Sequence, residues 1–187
     1  METSTLALGT TDLYATLAGH LKRRSTLILL GLGFLTAVLH ATFRFPLHLP
    51  GHHGLEWMAL LILARRISPY RWAASVAAAA AAAGSLLPQF GFHDPLTPVI
   101  YLLPGLVVDL LYMAAPQAKR QSVLFLSTVA ALAFATKPLI QWLSVQSLGL
   151  PADRWSSGLA YLLLMHLLFA FAGGAIGALL WQRSASR

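Results

Sequence analysis

Six apolar runs divide the cationic residues of this chain among alternating gaps, and that alternation restricts the fold more than any other feature. The odd gaps hold Lys22, Arg23 and Arg24, then Arg65, Arg66 and Arg71, then Lys119 and Arg120, then Arg183 and Arg187; the even gaps hold Arg44 and Arg154 alone. Short loops rich in Lys and Arg resist translocation, so a ten-to-two bias predicts an all-α polytopic membrane protein with six transmembrane helices and both termini in the cytoplasm. The thirteenth cation, Lys137, lies inside a run.

Composition agrees. A chain of 187 residues that is 57% hydrophobic and 10% charged, with mean hydropathy +0.68, is too apolar for an ordinary soluble domain. A formal charge of +7 would suggest nucleic acid in a soluble protein. Here the cations sit at helix ends, where anionic headgroups of the lipid bilayer are their usual partners, and no basic face with interleaved aromatics exists, so no nucleic-acid role is expected. The absence of cysteine removes disulfides, thiolate metal sites and thiol nucleophiles. Residues 1–24 lack the order of a signal peptide and read as a retained cytoplasmic tail or surface helix, with 13–21 able to lie flat on the membrane. Residues 25–187 read as one six-helix transmembrane domain.

The spans fall at 25–43, 55–67, 71–87, 99–115, 122–145 and 157–181. The second, at thirteen residues, is short for a bilayer of roughly 30 Å and needs help from the preceding loop. That loop, 44–54, reads RFPLHLPGHHG; its prolines and glycines stop a helix and predict an ordered outer loop or re-entrant segment. The third span is nearly pure alanine, which lets neighbouring backbones approach and predicts a central position. The fourth is expected to be interrupted by Pro104-Gly105, and the fifth contains Lys137-Pro138.

Ionisable groups at membrane depth are costly, so each needs a partner or a task. Four stand out: His40, Asp109, Lys137 and His166. One reading is an outward-open pocket for substrate, lined by His40, Glu56, Lys137, Gln141 and His166 and capped by the histidine loop. The other is packing: Lys137 snorkels, Asp109 pairs with backbone or with Tyr112, and His166 satisfies another helix. Lys137 weighs most toward the pocket, because a cation beside a proline-freed carbonyl is hard to explain by packing alone. Trp57, Trp142 or Trp155 would face the ring of a ligand.

His48, His52, His53 and Glu56 form a second constellation, with imidazole and carboxylate groups suited to a transition metal as ligand. His52 and Glu56 share a helix face if the helix begins at Gly51, and His93 and Asp94 in the next outer loop are within range of joining them. No HExxH or comparable spacing is present, so no resident cofactor is assigned. Ala37-x-x-x-Ala41 and Gly173-x-x-x-Gly177 make flat strips on which another helix can lie, within the bundle or between subunits.

Taken with about 190 residues, six helices with both ends inside and a Pro/Gly outer loop after the first span, the LPGLVVDLLY stretch from Leu103 to Tyr112 and the strip Ala37-x-x-x-Ala41 carry a family resemblance. The chain resembles the substrate-binding S-components of energy-coupling factor (ECF) importers of vitamins and metals. The resemblance covers nearly the whole chain. It implies a binding subunit rather than an enzyme, which captures a small vitamin-like molecule or metal ion on the outer side of the cell membrane. It implies ECF partners, a transmembrane coupling subunit and ATPases, with Ala37 and Ala41 at the positions of the coupling contact. Nickel and cobalt S-components carry a metal-ligating histidine near the N-terminus; METSTLAL does not. The loop HLPGHHGLEW matches the binding residues of no one vitamin, so the substrate stays open.

Two other classes compete. An accessory or cofactor-binding subunit of a membrane redox complex would use His40 and His166 as axial haem ligands, although their depths differ by roughly 10 Å at helical rise. An intramembrane hydrolase lacks ingredients: there is no cysteine, no pair of intramembrane aspartates and no serine spaced with His and Asp. No GxxxxGK[ST] motif supplies ATP hydrolysis.

Overall fold

The computed structural model describes residues 3–42, 49–92, 94–148 and 158–185, and among them all regular structure is helical. The helices are α1 (Thr3–Thr42), α2 (Gly54–Ile67), α3 (Ala73–Ser85), α4 (Thr97–Ala114), α5 (Val123–Phe134), α6 (Thr136–Leu148) and α7 (Leu159–Ala185), with single 3-10 turns at Pro88–Phe90 and Gln117–Lys119. Among the described residues four segments are long and apolar enough to cross a membrane: Arg23–Thr42, Thr97–Ala114, Val123–Ser147 and Leu159–Ala185. Large apolar side chains also cover the outside of the bundle, among them Leu27, Leu124, Leu143, Leu164 and Leu168. An exterior of that kind belongs in lipid, so this is a multi-pass membrane protein. At 14 and 13 residues, α2 and α3 reach only about 20 Å at ~1.5 Å per residue.

The helices pack in the ring order α1–α3–α4–α5–α7–α2, with α2 closing the ring against α1 and also touching α3, α4 and α5. Small residues set the seams. On α3, Ala73, Ala74, Ala77, Ala78, Ala81 and Ala82 are buried, a two-sided helical stripe that packs between α1 and α4, whereas the helix that meets the most neighbours is α2 rather than the alanine helix expected at the centre. Any Cβ at Gly105 of α4 would stand 3.1 Å from the carbonyl carbon of Ala74, so this glycine permits the α3–α4 approach. On the other side, a Cβ at Gly173 of α7 would stand 2.6 Å from the Gly54 oxygen and one at Gly177 would stand 3.1 Å from Ala59 Cα; the α7 strip therefore serves the α2–α7 seam inside the bundle.

Two breaks differ from expectation. Pro104 does not interrupt its span: α4 runs through it, with Pro104 and Gly105 both buried against neighbours that tolerate the missing donor. The fifth span breaks at Ala135 instead. Pro138 has no N–H for the carbonyl four residues back, and the chain restarts as α6 with the Thr136 hydroxyl donating to the Ala133 oxygen at 2.6 Å. At the N-terminus α1 runs without a break from Thr3 through the membrane-length stretch.

Candidate functional site

Polar groups gather at two places, one at each end of α2, about 18 Å apart over twelve residues of helical rise. At its N-terminal end the loop 49–53 turns sharply at Gly51, whose φ of +80° suits only glycine and whose absent Cβ would lie 2.7 Å from His166 Cα. The histidine loop thereby seats directly on α7. His52 Nδ1–H donates to the Leu49 oxygen at 2.7 Å, and His53 Nδ1 meets Glu56 Oε1 at 2.6 Å.

Aromatic rings join these groups into one cluster. His40 of α1 lies with its ring centroid 4.0 Å from that of His53, which is itself 4.0 Å from His52. His40 Nδ1 is hydrogen-bonded to the Tyr101 hydroxyl of α4. Trp57, 1% exposed, stacks on Tyr101 at 4.2 Å and meets Phe134 edge-on at 5.3 Å; Phe134 in turn lies 5.4 Å from His166. Lys137 is half-buried, and its Nζ stands 5.7 Å from the Trp57 ring centroid and 5.6 Å from that of Phe134, a cation between two π faces. Gln141 follows one turn later on α6 and is half-buried.

Five of the residues singled out from the sequence for substrate, His40, Glu56, Trp57, Lys137 and His166, thus converge from α1, α2, α6 and α7. Two buried polar atoms in this cluster have no partner, Trp57 Nε1 and His52 Nε2. Orphans of that kind are rare in folded proteins and point to an absent water or ligand group. His166 Nδ1 is bonded to the Leu162 oxygen at 2.7 Å, which leaves Nε2 for any ligand. Tyr101, Phe92 and Phe134 were not singled out from the sequence. A tyrosine in an apolar span needs a hydroxyl partner, and that was the available signal for Tyr101.

Among the described residues no group of three or more His, Asp or Glu side chains is arranged to hold a metal ion. Glu56 serves His53, three residues before it, rather than His52, because α2 begins at Gly54 and not at Gly51. His48, His93, Arg44, Arg154 and Trp155 lie outside the described residues. Ala37 is fully buried against α3, where a Cβ on Gly84 would stand 3.1 Å from its own, and Ala41 is half-buried.

Asp109 lies at the arginine end of α2. Fully buried, it pairs with Arg65 at 3.0 Å and accepts from the backbone N–H groups of Ala74 (3.3 Å) and Ser75 (2.7 Å) and from the Ser75 hydroxyl (2.7 Å). Trp72, the N-cap residue of α3, makes no side-chain cap. The carboxylate of α4 caps that helix from outside instead, where the dipole favours negative charge. Arg65 further donates to the Arg71 and Ser68 oxygens, and Arg66 donates to the Tyr112 hydroxyl at 3.0 Å. No protein family, curated protein or solved structure matches this chain.

Proposed function

We propose that this protein is the ligand-binding subunit of a membrane importer of the ECF S-component kind, and that it captures a small vitamin-like molecule at the histidine end of the bundle. In this reading the chain crosses the cell membrane six times with both termini inside, and the histidine loop faces outward. It performs no chemistry of its own; partner ATPases supply energy through a coupling subunit.

One observation carries the reading: a lysine, two unpartnered buried polar atoms and a wall of aromatic rings meet at one end of the molecule. That combination suits a flat, partly aromatic ligand bearing an anionic or acceptor group. Lys137 supplies the charge, Trp57 Nε1–H a donor, His52 and His166 further polar contacts, and Trp57 and Phe134 the apolar face. The His53–Glu56 pair stiffens the loop that closes over it.

Mass spectrometry of small molecules released from the purified, denatured protein tests the proposal. The native chain is expected to carry one ligand, and Lys137→Met to lose at least about tenfold in occupancy with an unchanged unfolding midpoint; equal occupancy would remove the lysine from the site. Orientation has its own test, because the chain has no cysteine. Pro50→Cys should react with an impermeant maleimide on intact cells, and Ala118→Cys only after permeabilisation. The reverse pattern would end the importer reading.

A further inference from the structure

At the opposite end of α2, four guanidinium groups, those of Arg65, Arg66, Arg71 and Arg120, line a cavity of about 520 Å³. Among the described residues a single carboxylate, Asp109, is in ion-pair range of any of them, and Arg65 engages it. The other three are held by neutral groups. Arg66 donates to the Tyr112 hydroxyl and the Arg120 oxygen, Arg120 to the Ala115 and Met113 oxygens, and Arg71 to the Met113 sulfur at 2.7 Å. No described carboxylate compensates these three, of which Arg71 is exposed. In the same wall Arg65 is 6% exposed, and its buried Nε–H has no partner among the described residues.

We infer that this cavity binds a phosphate-bearing anion. Planar guanidinium forks match the oxygens of phosphate, and a basic pocket between helix ends is a common seat for acidic headgroups. Two tryptophans stand close by: Trp72, 41% exposed, with the Arg71 guanidinium 5.8 Å from its ring centroid, and Trp181, with that of Arg66 at 5.6 Å. Aromatic rings of this kind mark the level of the headgroups, so the phosphodiester of an acidic phospholipid fits the surroundings better than free phosphate. The inference does not depend on ligand capture at the histidine end.

Full-length protein in a neutral detergent, titrated with phosphatidylglycerol or phosphatidylcholine and read by native mass spectrometry, tests it. Phosphatidylglycerol should be retained at least about fivefold more strongly, and Arg71→Gln should weaken that retention about fivefold, roughly the worth of one interfacial cation. Arg71 is exposed, and among the described residues its side chain meets just the Met113 sulfur and the ring of its exposed neighbour Trp72, so this variant should unfold at the native midpoint in the same detergent. Displacement of the lipid by millimolar inorganic phosphate assigns the cavity to soluble phosphate, and resistance to it assigns the cavity to the headgroup. Equal retention of the two lipids, or retention that Arg71→Gln leaves unchanged, overturns the inference.

Discussion

Replacing Asp109 with alanine tests the reasoning where the stakes for the fold are highest. The carboxylate accepts four hydrogen bonds and neutralises a guanidinium that is 6% exposed. Removing one partner of a buried ion pair costs about 3–5 kcal/mol, chiefly because the other charge stays buried and unpaired. Arg65 would keep the Arg71 and Ser68 oxygens, which places its share near the lower figure, about 3 kcal/mol. Loss of the cap on α3 adds roughly 1 kcal/mol. The expected destabilisation is therefore about 4 kcal/mol, read by equilibrium unfolding in mixed detergent–SDS micelles with far-UV circular dichroism. Asp109→Asn, which keeps an acceptor for Ser75, should cost about half as much. Arg65→Met combined with Asp109→Ala should cost at least about 1 kcal/mol less than the two single changes added together, because the stranded charge is gone. Strict additivity, or a loss below about 1 kcal/mol for Asp109→Ala, would refute the assignment.

The glycines of the bundle should respond in opposite directions. Gly173→Val would push a side chain into the α2 backbone and should destabilise by about 2–3 kcal/mol in the same unfolding assay, whereas Gly31→Ala, with nothing within 4 Å of the added Cβ, should stabilise by about 0.5–1 kcal/mol. Gly51→Ala combines a left-handed backbone with a clash against α7, so faster hydrogen exchange confined to residues 49–53 is expected while the helices keep their protection; unchanged exchange there would show that the loop does not rest on His166 as described.

Much of the architecture was legible because its signals are local. The helix expected at 55–67 is α2 at Gly54–Ile67, and the alanine run became α3 within two residues at each end. Hydropathy and proline describe a segment without reference to its neighbours. The convergence of His40, Glu56, Trp57, Lys137 and His166 was likewise approachable, since depth along a helix follows from counting residues. Rotation about the helix axis does not. Asp109, expected to pair with backbone or with Tyr112, does accept from the Ala74 and Ser75 backbone, but it also turns toward an arginine 44 residues away that read only as a loop cation. Tyr101 escaped notice for the same reason: nothing in its own span says that it faces Trp57 rather than lipid. Proline was ambiguous in both directions. Pro104 is absorbed where glycine and alanine let α3 close over it, while Pro138 parts its helix where the lysine beside it turns inward.

Both polar clusters hang from one short rod. His53, Glu56 and Trp57 occupy the first turn of α2 or flank it, Arg65 and Arg66 occupy its last, and between them the backbone of the rod lies directly against the Gly173 and Gly177 strip of α7. An axial offset of α2 by even a fraction of a turn would therefore misalign histidines and arginines together. A displacement of the whole rod would be felt at both tips, whereas a change confined to the loop or to an exposed arginine would leave its height alone.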